Sequence, residues 1–211
     1  MPTIDQTAAP SASHPGTRST SLRSDDRHWG ILAKTFHWGL ALAILGNGGF
    51  GLVMDLAHGP MQKIQWLALH KSIGLTVLGL MLLRLAWRSL DRRPVATAPR
   101  WQQLAARATH ATLYLLALAI PLTGWWFNSL AGKPLQWFKQ FNLPALAMPG
   151  DALADTAHLV HKSLFLLLAL VLVLHVGAAL KHHVFDHDDV LRRMLPFGRP
   201  HAGRATTGEE P

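Results

Sequence analysis

The chain contains no cysteine among its 211 residues. Disulfide bonds and thiolate ligands are therefore excluded, and any metal ion would have to be held by other donors. Acidic residues are also scarce, with 12 Asp and Glu against 20 Lys and Arg, and only 15% of the residues are charged. The amino-terminal residues show no short apolar run of the kind found in a cleavable signal peptide, so we expect none.

Long hydrophobic runs, by contrast, dominate the sequence. Four of them cover, approximately, residues 34–55, 66–87, 104–127 and 156–181. Each has about the 20 residues that a helix needs to cross ~30 Å of hydrocarbon. The run LFLLLALVLVL at 164–174 has no polar face, which a surface helix of a soluble bundle would show. The sequence therefore predicts an all-α integral membrane protein, a four-helix bundle in residues 29–185.

The distribution of charge predicts the orientation of this bundle. Basic residues concentrate in residues 18–34, 84–107 and 181–204, which all lie on one side of the membrane if the amino terminus is cytoplasmic. The positive-inside rule then predicts a bacterial inner-membrane protein with both termini in the cytoplasm. Because the Arg-rich segments flank membrane spans and lack interleaved aromatic residues, we expect no nucleic-acid partner.

The two ends of the chain differ from the bundle in composition. Residues 1–28 are rich in Ser, Thr, Ala, Pro and Arg, which is typical of a disordered segment. Residues 186–211 carry several arginines and no long apolar run. We therefore expect a disordered cytoplasmic tail at 1–28 and a short basic cytoplasmic tail at 186–211.

Histidine is the abundant candidate ligand, with 13 copies. His161 and His175 are 14 residues apart in the fourth helix, so at about 100° per residue both imidazoles project from nearly the same face, roughly 21 Å apart along the axis. His37 lies at the inner start of the first helix, at the depth of His175. His70 lies near the outer start of the second helix, at the depth of His161. The predicted pairs are His37 with His175 on the inner side and His70 with His161 on the outer side.

Two bis-imidazole sites, one above the other between facing helices, suit two b-type haems. A single intramembrane histidine is more often a hydrogen-bonding group between helices, but four that pair by depth favour ligation of iron. Two histidines keep open alternatives. His110 is either a neighbour of a haem propionate or a residue at the lipid headgroups, and His158 is either a spare polar group or part of an outer reaction site.

Glycines occur where a flat macrocycle would need room, although glycine in a membrane helix is more often a packing device. The residues in question are Gly39, Gly46, Gly48, Gly49, Gly51, Gly74, Gly79 and Gly177.

Four stretches resemble the bacterial cytochrome b561 family of four-helix di-haem membrane cytochromes, over about Trp29 to Phe197. They are KTFHW (34–38), LALHKSIGLTVLGLMLLRLAWR (67–88), TLYLLALAIPLTGW (112–125) and HVGAALKHHVFDHDDVLRRMLP (175–196). The resemblance implies axial haem ligands at the four paired histidines, and electron exchange with ubiquinone. It also implies quinone contacts at Trp38 and His182, with His183 as the second choice.

Some members of that family resemble superoxide oxidases, so we expect this chain to oxidise periplasmic superoxide and to reduce ubiquinone. Lysines on the outer side would draw the anion inwards, or are ordinary interfacial residues. They are Lys63, Lys71, Lys133, Lys139 and Lys162.

Two alternatives remain open. The chain could be an electron-transfer subunit that takes electrons from a periplasmic dehydrogenase or cytochrome, with Trp137, Phe138 and Phe141 of the outer loop as the docking surface. It could also be a non-redox transporter or structural protein in which the histidines form a proton path.

Overall fold

A computed structural model describes residues 22–25, 29–91 and 98–195 of the chain. Most of the predicted amino-terminal tail at 1–28 and the end of the predicted carboxyl-terminal tail, from residue 196 onwards, lie outside the described residues. So do the arginines at 92 and 93 in the inner loop.

Four long helices form the body of the protein. They are α1 (Ile31–Val53), α2 (Pro60–Leu90), α3 (Arg100–Leu130) and α4 (Asp151–Val184). All four are long and apolar enough to cross a membrane. Three of them extend past both ends of the apolar runs because polar residues beyond the hydrocarbon continue the helix. The first ends two residues early, at Val53, and is followed by a 3₁₀ turn at Met54–Leu56.

The helices pack in sequence order, α1 on α2, α2 on α3 and, most extensively, α3 on α4. Within the described residues α1 and α4 have few close backbone approaches, so mainly side chains meet on that side of the bundle. A core near the inner end joins Leu40, Val77, Met81 and Ala117. Many other large apolar side chains are exposed, such as Leu42 at 70%. Exposed apolar surface of this extent fits helices surrounded by lipid.

The outer connection between α3 and α4 contains a small antiparallel hairpin, β1 (Leu135–Trp137) and β2 (Phe141–Leu143). It is bound to α2: the Phe138 backbone N–H donates to Ser72 Oγ at 2.9 Å, and Trp137 Nε1–H donates to Thr76 Oγ1 at 3.0 Å. The fold is therefore mostly helical rather than strictly all-α. In the part of the chain that the structure describes, this hairpin is the departure from the predicted class.

Described residues before α1 and after α4 contact the end of the bundle at which α1 begins and α4 ends. Ser24 is buried, and its hydroxyl donates to Asp91 Oδ2 at 2.6 Å while accepting the Gly30 N–H at 3.0 Å. A short helix, α5 (Val190–Met194), follows α4. Residues on both sides of the predicted bundle, which the sequence assigns to tails, thus make ordered contacts with it.

Candidate functional site

The inner pair of predicted ligands meets across the α1–α4 side of the bundle. The ring centres of His37 and His175 lie 6.4 Å apart. A third imidazole joins them, because the ring centre of His110 on α3 lies 5.4 Å from that of His175. The sequence analysis gives His110 no partner among the histidines, whereas the structure brings it into the inner cluster.

The outer pair has the same spacing. The ring centres of His70 on α2 and His161 on α4 also lie 6.4 Å apart. The structure thus brings together each of the two predicted pairs at opposite ends of α4. His158, one turn before His161, stacks on Phe127 with ring centres 4.8 Å apart.

The 6.4 Å between the ring centres of each pair is the separation expected of two imidazoles that bind one metal ion from opposite sides. Two metal–nitrogen bonds of about 2.0 Å, with about 1.2 Å from each ligating nitrogen to its ring centre, separate the centres of two opposed imidazoles by about 6.4 Å. His110 is about 1 Å too close to His175 for the same arrangement. No group of three or more His, Cys, Asp or Glu in the described residues converges to hold a metal ion. An ion at either pair would therefore need its remaining ligands from a bound group such as a macrocycle.

A hydrogen bond orients His161. Its Nδ1 lies 2.9 Å from the backbone carbonyl of Ile120 and 3.3 Å from Thr123 Oγ1. Because a carbonyl oxygen can only accept, Nδ1 carries the proton and Nε2 keeps its lone pair for a metal. His70 differs, since its buried Nδ1 has no hydrogen-bond partner among the described residues.

Two glycines make room for the outer imidazoles. A Cβ at Gly51 would lie 3.1 Å from His70 Cε1, and a Cβ at Gly124 would lie 3.1 Å from His161 Cε1. A third, Gly48, admits the ring of Phe165, which a Cβ would meet at 2.5 Å. By contrast, nothing approaches within 4 Å of a Cβ at Gly39 or Gly177. The close approaches therefore occur at the outer pair.

Comparison with known proteins identifies the family of the chain. A family model described as prokaryotic cytochrome b561 matches residues 28–197. The chain belongs to the prokaryotic cytochrome b561 family. It is accordingly a multi-pass membrane protein of a family that transfers electrons and binds haem b.

Individual members of the cytochrome b561 family align over most of the chain. Cytochrome b561 homolog 2 of Escherichia coli (strain K12) is 34% identical over 178 residues, which is 83% of this chain and 95% of that protein. Cytochrome b562 of Cereibacter sphaeroides is 30% identical over 169 residues, 78% of this chain and 92% of that protein. The probable superoxide oxidase CybB of Yersinia pestis is 30% identical over 145 residues, 66% of this chain and 81% of that protein.

In this cytochrome b561 chain the inner cluster also contains a cation. Arg84 Nη2 lies 3.3 Å from His37 Nδ1, and its guanidinium lies over the ring of Tyr114 at 5.3 Å. A guanidinium only donates, so in this contact the proton of His37 is on Nε2. Binding of a metal at Nε2 requires the other tautomer, and Arg84 must then leave the ring nitrogen. Its stacking on Tyr114 would keep the charge close to the site.

The predicted quinone contacts lie at the inner ends of α1 and α4. Trp38 Nε1–H donates to the backbone carbonyl of Met194 at 2.9 Å. His182 Nδ1 lies 2.8 Å from Asp186 Oδ2 and 3.0 Å from Asp188 Oδ2. Nδ1 of His182 and Nδ1 of His183 are both buried, and neither forms a hydrogen bond of good geometry in the described part of the chain. The approach of the two carboxylates to His182 is therefore a contact by distance.

Asp186 also binds Lys181, whose ammonium donates to its carboxylate at 2.7 Å and 3.0 Å. This hydrogen bond, with the positive charge of Lys181, holds the pKa of Asp186 below its usual value, and His182 contributes in the same direction.

Several residues of the site escape prediction from the sequence. Gly124 and the Ile120 carbonyl contact His161 only because α3 packs against α4. No local sequence pattern predicts which backbone carbonyl will accept a hydrogen bond from a histidine on another helix. Arg84 follows His70 by 14 residues. The spacing that places His161 and His175 on one helix face also places Arg84 on the face of His70, towards the interior of the bundle. Asp188 and Met194 lie in a segment that composition assigns to a tail.

Proposed function

We propose that the chain binds two haems b, one between His37 and His175 and one between His70 and His161, and carries electrons across the membrane to ubiquinone. The observation that carries this proposal is the equal 6.4 Å spacing of the two imidazole pairs. Bound there, each haem supplies a one-electron ferric–ferrous couple. The chain supplies the ligands, their orientation and an apolar surround.

The residues fit such a group on further grounds. The backbone carbonyl of Ile120 keeps His161 in the tautomer that a metal ligand requires. The buried, unpartnered Nδ1 of His70 belongs to a ring that has no competing role in the described structure. Gly51 and Gly124 allow both rings to approach their neighbours' backbones. Membership of the family supports this redox interpretation over a non-redox proton path.

The electron acceptor in this proposal is ubiquinone at the inner side, in contact with Trp38, His182 and His183. Trp38 is adjacent to the inner ligand His37, and His182 lies two turns beyond His175, so all three are at the inner end of the bundle. Reduction of a quinone to a quinol consumes two electrons and two protons. A protonated His182 can give one proton to a quinone oxygen and recover it from the cytoplasm.

The proposed donor is superoxide on the outer side. Two superoxide ions lose one electron each to give two O₂, and one ubiquinone takes up both electrons and two protons. The relative from Yersinia pestis with 30% identity is named a probable superoxide oxidase. The charge of the outer surface supports the choice only in part, because Lys63 is paired with Asp55 at 2.8 Å.

Lys71 and Lys133 have no ion-pair partner among the described residues. Lys71 is half-buried on α2 directly after His70, and Lys133 belongs to the connection whose hairpin is bound to α2 at Ser72. Two ammonium groups on neighbouring elements favour an anion nearby.

A second candidate function is that of an electron-transfer subunit with a periplasmic partner. The hairpin favours it: Phe138 and Phe141 are 43% and 55% exposed while their neighbour Trp137 is tied to α2. Exposed aromatic side chains on a fixed backbone are typical of protein interfaces.

For both candidate functions we place the chain in the bacterial inner membrane with cytoplasmic termini, as the distribution of arginines favours.

The experiment that tests the haem proposal is a reduced-minus-oxidised spectrum with haem quantitation on the purified protein. We expect about two haems b per chain. Replacing either member of a pair by Ala should remove the same haem. His158→Ala is the matched control, because this exposed imidazole stacks on Phe127 and belongs to neither pair. A colourless wild-type protein, or loss of different haems from His37→Ala and His175→Ala, would contradict the proposal.

The donor is tested separately by generating superoxide enzymatically beside the purified cytochrome at low ionic strength. Reduction of added ubiquinone that superoxide dismutase abolishes would support the superoxide oxidase. Intact haems that superoxide does not reduce would favour the electron-transfer subunit.

A further inference from the structure

The turn that follows α4 connects the two groups that we propose as quinone contacts. Asp188 uses both of its carboxylate oxygens. Oδ2 lies 3.0 Å from Nδ1 of His182, and Oδ1 accepts the backbone N–H of Val190 at 3.1 Å, at the start of α5. Its own N–H donates to the carbonyl of His182 at 3.1 Å. One side chain therefore touches both the end of α4 and the beginning of α5.

The other end of α5 holds α1. The carbonyl of Met194 accepts Nε1–H of Trp38 at 2.9 Å, and the carbonyl of Leu195 accepts Nζ–H of Lys34 at 3.2 Å. A shift of α5 would release or turn the indole of Trp38. Asp188 thus lies between His182 on one side and Trp38, through α5, on the other.

The contact also decides which nitrogen of His182 can act on a ligand. Nδ1 of His182 forms no hydrogen bond of good geometry in the described residues. Two carboxylate oxygens within 3.0 Å would nevertheless repel a lone pair on that nitrogen, so the contact favours a proton on Nδ1. Nε2 is left as the nitrogen that can meet a quinone oxygen. Asp186 divides its charge between His182 and Lys181, at 2.8 Å and 2.7 Å. Among the described residues, His182 is the basic side chain within ion-pair distance of Asp188.

We infer that Asp188 is a positioning residue for quinone reduction: one oxygen fixes the ring and tautomer of His182, and the other fixes α5 and, through it, Trp38. The inference rests on the proposed function, because it assumes that quinone is reduced at this end of the bundle. It adds a residue from a segment that composition assigns to a tail. The cytoplasmic wall of the site would then include α5.

The test follows the quinone step alone. Holoprotein, with both haems reduced anaerobically, is mixed in a stopped-flow instrument with decylubiquinone, and haem reoxidation is recorded against quinone concentration. Asp188→Asn keeps an oxygen that can accept the Val190 N–H, because an amide oxygen is also an acceptor, but it removes the charge. Asp188→Ala removes both contacts, and Asp188→Glu restores a carboxylate. Asp55→Asn is the control, because it removes a carboxylate at the outer end of the bundle.

We expect Asp188→Asn to lower the maximal reoxidation rate by about ten- to 100-fold, the loss typical of a misplaced reacting group, with the half-saturating quinone concentration changed by less than about twofold. Asp188→Ala should lower the rate and also raise the half-saturating concentration, because Trp38 loses its support. Asp188→Glu should recover part of the rate, and Asp55→Asn should behave as wild type.

Three results would overturn the inference. A wild-type rate in Asp188→Asn would show that the carboxylate does not position His182. Equal losses in the Glu and Ala variants, with a raised half-saturating concentration, would indicate a general loss of structure. If the quinone does not reoxidise the wild-type protein with two intact haems, the proposed function itself is wrong, and the inference about Asp188 is wrong with it. Should Asp188→Ala lose its haems, the Asn and Glu variants, which retain an oxygen for α5, decide the question.

Discussion

In the proposed di-haem protein, a methyl group at Gly124 should disturb the haem assigned to His70 and His161 without unfolding the chain. The added Cβ would lie 3.1 Å from Cε1 and 3.3 Å from Nδ1 of His161. Carbon atoms prefer separations of about 3.5–4.0 Å, so the imidazole must move by roughly half an ångström. The same nitrogen, Nδ1, is held by the carbonyl of Ile120, one turn earlier on α3, at 2.9 Å. That hydrogen bond is the contact that we expect Gly124→Ala to weaken.

Two opposing energies set the magnitude. Replacing Gly by Ala inside a helix stabilises it by about 0.8–1.0 kcal/mol, and a weakened hydrogen bond costs about 0.5–1.5 kcal/mol. The net change in stability is therefore close to zero. The redox potential of an iron bound to His161 would have no such opposing contribution. The hydrogen bond to the carbonyl would make His161 a better electron donor to the iron and would favour the ferric state. A loss of about 1 kcal/mol corresponds to roughly 40 mV in a one-electron couple, so the outer midpoint potential should rise by up to about 40 mV.

The assay is a spectroelectrochemical titration of the purified cytochrome, combined with thermal loss of haem absorbance. Gly79→Ala on α2 is the matched control, because Gly79 is exposed on the helix face opposite to His70 and a Cβ there meets nothing within 4 Å. It should stabilise the helix and leave both potentials unchanged. If Gly124→Ala and Gly79→Ala give the same two potentials, then His161 is not an axial ligand or its contact with α3 has no influence on the iron.

Three further outcomes follow from the described contacts. His110→Ala should retain both haems, because its ring is too close to its neighbouring histidine to be the opposed ligand; a one-haem product by haem quantitation would contradict the assignment. Ser24→Ala should lower stability by about 1–3 kcal/mol, measured as thermal loss of haem absorbance, because the buried Gly30 N–H loses its acceptor and Asp91 keeps only the Ser24 backbone N–H. The depressed pKa of Asp186 means that its pairing with Lys181 contributes stability above the usual carboxyl pKa of 3.8, which is lost as the pH falls further. Hydrogen exchange at the end of α4 should therefore accelerate below about pH 4, and Asp186→Asn should remove that dependence.

The sequence predicts the parts of this fold that follow from helical periodicity and apolar length. Membrane thickness fixes the length of each span, and a spacing of 14 residues fixes the common face of His161 and His175. The pairing by depth needs only the alternation of up and down helices. Side-chain contacts between helices are different, because the Ile120 carbonyl meets His161 through the particular rotation of α3 against α4. No property of the Ile120 side chain encodes that meeting.

The contacts around the two pairs also differ in a way that bears on the direction of electron flow. In the proposed di-haem protein, the hydrogen bond from His161 to a carbonyl stabilises the ferric state of the outer iron and lowers its potential. At the inner pair, the cation of Arg84 is held near His37 by its stacking on Tyr114, and a positive charge favours the ferrous state. Both contacts would make an inner iron the stronger oxidant, whereas the ammonium of Lys71, directly after His70, acts in the opposite sense at the outer pair. The proposed inward flow of electrons, towards Trp38 and His182, requires the first two effects to exceed the third.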